Sequence, residues 1–188
     1  FFDVVKYEGT GSARTVAHSL GTTVGMIIVK NLDAGDNWAV FHRGIDHNSD
    51  GAPETDGIYL NLDSDTVDEV ALWNDTAPTS SVFTVGTDHT VNASGENYIA
   101  YLFAHNNDDG GFGEPGDQDI IKCDTYDAAS AGTTVTLGFE PQWIIIKKVN
   151  ASESWYIYDS MRGVATGGDN SQDKKLRANS SGGEGAVP

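Results

Sequence analysis

The residues with the clearest chemical potential lie in one short stretch, Asp46-His47-Asn48-Ser49-Asp50-Gly51. Oxygen-bearing side chains at alternate positions, with glycine at the sixth for a sharp turn, form the first half of a calcium loop. A full loop of that type carries a bidentate glutamate at its twelfth position, where this sequence has Gly57. Glu54 and Asp56 are the nearby carboxylates that would substitute. The candidate metal ligands are therefore Asp46, Asn48, Asp50, Glu54 and Asp56, and Ca2+ is the one cofactor suggested. Asp, Asn, Ser and Gly also suit a plain solvated turn through local hydrogen bonding, and both readings stand at this point. Asn106-Asn107-Asp108-Asp109-Gly110 is a weaker version of the pattern.

Enzyme constellations are not found. The sequence has no G-x-S-x-G elbow, no H-E-x-x-H pair and no phosphate-binding glycine loop. His18, His42, His47, His89 and His105 are scattered without metal-ligand spacing. Carboxylate pairs for glycoside hydrolysis are inevitable among 28 acidic residues, so their presence carries no weight. The expectation is a non-catalytic protein. Cys123 is the single cysteine, which excludes an intrachain disulfide and suits a packing role. Among the aromatics, Trp73 precedes the polar turn Asn74-Asp75-Thr76-Ala77-Pro78-Thr79 and is the expected surface residue, placed to stack on a ligand such as a sugar ring.

The elements that must position these residues are strands. Short β-branched and aromatic runs alternate with Gly, Asp, Asn and Ser clusters about every ten residues. The pattern predicts strands over residues 2–7, 13–18, 25–30, 38–42, 57–62, 70–73, 82–85, 89–91 and 97–105. Further on it predicts them over 119–125, 133–137, 143–149, 155–159 and 174–178. No window of about twelve residues carries a capped helical stripe. An all-β fold follows, built as a β-sandwich of jelly-roll type.

The strands repeat. Leu20-Gly21, Ile27-Ile28-Val29-Lys30 and Trp38 recur 117 positions later as Leu137-Gly138, Ile144-Ile145-Ile146-Lys147 and Trp155. Val4-Val5-Lys6-Tyr7 recurs as Ile120-Ile121-Lys122-Cys123, and Arg43-Gly44 as Arg162-Gly163. The chain thus divides into a first copy over residues 1–106, a Gly/Asp-rich linker over 107–118 and a second, truncated copy over 119–188. The second copy has no counterpart of residues 73–103. Continuation of the parent chain is the expected completion, with a neighbouring chain as the other route. Repetition of Trp38 as Trp155, and of Met26 as Trp143, marks core positions, because a repeated fold needs the same core. Arg43 and Arg162 are expected to pin strand ends by pairing with carboxylates.

Charge narrows the partners. A net charge of −17, with 28 acidic against 11 basic residues, repels phosphates and argues against nucleic acid as a partner. The longest apolar runs are strand-sized, far short of the roughly 18 residues of a membrane helix, so no membrane insertion is expected.

Several stretches resemble virion structural and tail-fibre-like repeat proteins of marine tailed bacteriophages. They include Thr15-Val16-Ala17-His18-Ser19-Leu20-Gly21, Trp38-Ala39-Val40-Phe41-His42-Arg43-Gly44 and Tyr98-Ile99-Ala100-Tyr101-Leu102-Phe103-Ala104-His105. In the second copy they include Gly116-Asp117-Gln118-Asp119-Ile120-Ile121-Lys122-Cys123 and Leu137-Gly138-Phe139-Glu140-Pro141-Gln142-Trp143. The resemblance implies an extracellular virion component, a tail fibre or surface appendage, acting by assembly and host adhesion. Its implied partners are other virion proteins, copies of itself (a trimer by the general architecture of fibres) and a host-surface glycan. It brings no catalytic residues. A free-standing carbohydrate-binding module is the alternative, and an envelope-degrading glycosidase a more distant one.

Overall fold

A long β-branched run such as residues 27–29 favours the centre of a sheet, because a central strand is covered on both faces. The computed structural model describes residues 1–106, 120–162, 174–183 and 185–186. The first half contains β1 (Phe2–Glu8), β2 (Arg14–Ala17), β3 (Val24–Asn31), β4 (Ala39–His42), β5 (Asp56–Tyr59) and β6 (Val67–Asp68). A one-turn helix α1 (Val70–Trp73), β7 (Val82–Val85), a second one-turn helix α2 (His89–Asn92) and β8 (Asn97–Ala104) follow. The second half adds β9 (Trp143–Ile146), β10 (Tyr156–Asp159), β11 (Lys174–Arg177) and β12 (Gly185–Ala186).

Six strands form an antiparallel sheet in the order β1-β8-β3-β4-β5-β6, and β2 pairs with β7 as a ribbon. β3 is buried along almost its whole length, as its continuous run Met26-Ile27-Ile28-Val29 requires. β8 alternates strictly: Tyr98, Ala100, Leu102 and Ala104 are buried, while Ile99, Tyr101 and Phe103 on the other face are half-covered. One core lies between the six-stranded sheet and a cover made of the ribbon and the two helices. It gathers Ile27, Val29 and Phe41 from the sheet with Val16, Phe83, Leu72, Trp73 and Val91 from the cover. Tyr7 stacks on Tyr98 at 5.2 Å, and each buried hydroxyl donates to a carbonyl, of Val91 and of His89 respectively. Burial of these rings is therefore not opposed by an unpaired hydroxyl.

The helices replace two expected strands, over residues 70–73 and 89–91. Each is a single turn held by an acidic cap, Glu69 accepting from the Ala71 N–H and Asp88 from the Thr90 N–H. Asn74, in the left-handed region at φ 55°, ends α1. The turn carries Trp73 inward to 2% exposure, edge-on to Phe41 at 6.1 Å. Trp73 is thus a core residue and not the surface aromatic expected from the polar turn that follows it.

A second core lies on the opposite face of the six-stranded sheet. Met26, Ile28, Val40, Ile45 and Ile58 meet Cys123 and Trp155 there, with Ile145, Val149 and Ala178 packed alongside. The sheet of β9 to β12 thus faces the first sheet across this core. The Trp155 indole donates to the Tyr59 carbonyl at 3.0 Å, Thr66 donates through N–H and hydroxyl to the Val149 carbonyl, and Glu153 N–H donates to Asp63 O.

The two sheets share a register. Met26↔His42, Ile28↔Val40 and Val29↔Ala39 of β3 and β4 correspond to Trp143↔Asp159, Ile145↔Ile157 and Ile146↔Tyr156 of β9 and β10. Val40↔Ile58 and Gly57↔Val67 correspond to Ile157↔Leu176 and Lys175↔Gly185. Even a capping bond recurs: Asn61 Oδ1 accepts from Trp38 N–H, and Asn179 Oδ1 accepts from Trp155 N–H.

Two predicted strands of the second half, over residues 119–125 and 133–137, form no ladder among the described residues. Their first-half counterparts, β1 and β2, pair with β8 and β7. Neither partner has a counterpart in residues 119–188, and strand propensity without a ladder partner does not make a sheet. Residues 120–125 instead lie along the first unit, where Cys123 N–H donates to His105 Nδ1. The proposed linker, residues 107–118, lies outside the described residues.

Candidate functional site

The acidic loop joins β4 to β5, anchored at one end by buried Ile45 and at the other by Asp56, the first residue of β5. Ser49 at φ 61° and Gly51 at φ 75° turn the chain back sharply, the second at a position where glycine carries no steric cost. The reversal aims the loop's own N–H groups at its carboxylates. Asp46 accepts from the N–H groups of Asp50 and Gly51 at 2.9 and 3.3 Å, and Asp50 accepts from Ala52 N–H at 2.9 Å. Asn48 reaches outward and donates to Asp68 at 3.4 Å.

Asp56 is the unusual member. Its side chain is wholly buried, Oδ2 accepts from His47 N–H at 2.6 Å, and Oδ1 has no hydrogen-bond partner among the described residues. Burial pushes its carboxyl above the usual carboxylate range, the His47 N–H and ring oppose that rise, and the charges of Asp50 and Asp68 add to it. Asp68 stands directly opposite Asp56 in the β5–β6 ladder.

The structure therefore divides the predicted ligand set. Asp46 and Asp50 serve the turn itself, as Asx-type hydrogen bonding favours. Asn48 reaches Asp68 of β6, the acidic residue the sequence pattern missed, while Asp56 pairs with Asp68 through the backbone ladder and accepts from the loop's own His47 N–H. A two-residue strand has no readable periodicity, so nothing in the sequence pointed to it. Glu54 is half-buried in the turn before β5. No three His, Cys, Asp or Glu side chains among the described residues are grouped to hold a metal ion. Of the weaker acidic stretch, residues 107–110 lie outside the described residues, while Asn106 is buried and donates its N–H to Ile121 O.

The other flagged residues sit where chains of contacts hold the two sheets together. Cys123 is buried with its thiol pushed up to about 12 by burial, which leaves it protonated and unreactive at neutral pH. Its sulfur fills the space above Gly25, where a Cβ would lie 2.6 Å away. Trp155 is buried and Trp38 half-buried in the same core, whereas Trp143, the counterpart of buried Met26, is 49% exposed. Arg162 pairs with Asp159 at the end of β10. Arg43 Nη1 is buried without a hydrogen-bond partner among the described residues. A shallow gap among Ile27, Phe41, Trp73 and Phe83 belongs to the first core and has no room for a small molecule.

Among the described residues no helix is long and apolar enough to cross a membrane. No curated protein and no solved structure matches the chain. A family model described as a domain of unknown function, DUF7483, matches residues 1–187, and the chain belongs to that family.

Proposed function

We propose that this chain is a non-catalytic structural protein of a bacteriophage virion, part of a tail fibre or surface appendage, acting by assembly and by adhesion to a host-surface glycan. The unit of construction is a jelly-roll-like β-sandwich repeated in tandem, with the second copy incomplete. The observation that carries this reading is the recurrence of one sheet in the same register, packed against its first copy through Trp155, Cys123 and Ile145. Repetition that buries a continuous core between neighbouring units builds length and stiffness, which suits an appendage. The strongly acidic composition suits an extracellular surface that must stay soluble and free of nucleic acid.

Light scattering on the purified chain tests the proposal. A closed homo-oligomer is expected, a trimer at three times the 20.0 kDa chain mass. A folded monomer across the micromolar range would overturn the assembly reading in favour of the carbohydrate-binding module. Calcium is proposed to act at Asp56 together with Asn48 and Asp68, so calcium is expected to raise the melting temperature and chelator to lower it. Equal melting in both conditions removes the cation from the proposal.

A further inference from the structure

The outer edge of β9 carries a surface whose occupant the first sheet specifies. In the first sheet β3 is held on one side by β4 and on the other by β8. Its counterpart β9 is held by β10, and among the described residues nothing pairs with its other edge. The side chains there are apolar and under-covered. Ile144 and Ile146 are half-buried where their counterparts Ile27 and Val29 are fully buried, and Trp143 is half-exposed where Met26 is buried. An apolar strand with an open ladder is a template for an added strand.

We propose that β9 is a strand acceptor that takes an extended segment with the pattern of β8, antiparallel and in the register β8 adopts on β3. That register pairs Met26 with Phe103, Ile27 with Leu102, Ile28 with Tyr101 and Val29 with Ala100. Carried to β9, it sets Trp143 opposite the Phe103 position, Ile144 opposite Leu102, Ile145 opposite Tyr101 and Ile146 opposite Ala100. Charge agrees with the fit. Asn31 donates to Glu96, just before β8, and the counterpart of Asn31 is Lys148, an exposed cation that would meet the same carboxylate. The first-half β8 is committed to β1 and β3, so the added strand comes from outside the described sheet. This inference rests on the repeated register of the proposed function and names the surface through which a further unit attaches.

The probe is a synthetic peptide copying residues 96–105, added to the whole chain. Saturable binding is expected, with amide exchange in residues 143–148 slowed at least tenfold, and Lys148→Glu weakening binding several-fold. In a Cys123→Ala background, Ile146→Cys is expected to cross-link a peptide carrying Ala100→Cys, but not one carrying Ile99→Cys or Tyr101→Cys. A one-residue slip turns the thiol to the opposite face. No protection of residues 143–148, or equal protection by a peptide of scrambled order, overturns the strand acceptor. Oligomer formation without peptide binding refutes this inference and leaves the assembly reading intact. Peptide binding by a chain that stays monomeric keeps the acceptor and removes the assembly reading.

Discussion

Buried titratable groups set how single residues of this protein respond to pH, and two of them pull in opposite directions. His42 is held down to about 4, first by burial and then by the Arg43 charge, and its Nδ1 accepts from Gly44 N–H, which requires the ring unprotonated there. A folded value below the unfolded one of about 6.5 means that its stabilisation is present above that pH and lost as pH falls toward 4. His42→Gln is expected to flatten the fall in stability between pH 6.5 and 4, measured by urea denaturation at several pH values. Asp56 has the reverse sign. Its folded value is raised, so its contribution is present below the unfolded value near 3.9 and lost as pH rises through the folded one. Asp56→Asn keeps an acceptor for His47 N–H and is expected to diminish that loss, and to abolish any calcium-dependent rise in melting temperature. At Trp73, burial rather than ligand contact decides the outcome: Trp73→Ala is expected to cost about 3–5 kcal/mol in chemical denaturation.

At the scale of elements, the contacts between the two sheets rest on few residues. Trp155 buries its ring in the second core and donates to a carbonyl of β5, so Trp155→Ala removes both packing and a hydrogen bond. A loss of about 3–5 kcal/mol is expected, with amide exchange rising first in β9 to β11 while β1, β3 and β8 stay protected. Gly25 is the complementary point, because Cys123 occupies the space a side chain would need. Gly25→Ala is expected to destabilise by about 1–3 kcal/mol through overpacking. Adding Cys123→Ala relieves only the sulfur contact and should restore a small part of that loss in a double-mutant cycle, because the Cβ of residue 123 at 2.7 Å and the Ala104 carbonyl at 2.9 Å still crowd the site. The outer face of the second sheet shows the same logic from the other side. Gly57 has no side chain because Leu72 of α1 presses on it. Its counterpart is Lys175, whose ammonium lies 4.6 Å from the Tyr156 ring centre, on a face with no equivalent of α1 among the described residues.

For the whole molecule, two related sheets lie back to back while the first alone carries the cover of β2, β7, α1 and α2. The asymmetry places the covered core in the first unit and leaves β9 with an edge unpaired among the described residues. Stability is therefore expected to be uneven, with the second unit opening locally at lower denaturant than the first. Exchange measured through a urea series checks this: simultaneous loss of protection in β3 and β9 would show instead that the second core couples both sheets into one cooperative unit.

The β-branched runs of residues 27–29 and 144–146 are legible as strands from composition alone, but only the first is central and buried on both faces. The sequence also determined the correspondence of the two halves, because matched apolar spacing imposes matched registers, down to the shared Trp and its Asn cap. Tertiary structure decided what depends on a partner distant in sequence. Residues 120–125 and 133–137 carry strand-forming side chains but lack the strands that pair with their counterparts. Residues 70–73 and 89–91 carry them too, yet local acidic caps and the need to cover a sheet face turn them into helices. Trp73 goes inward for that reason, and the loop carboxylates bond their own turn while Asn48 reaches Asp68 of β6, because a two-residue strand and a buried oxygen acquire meaning only when the chain has closed around them.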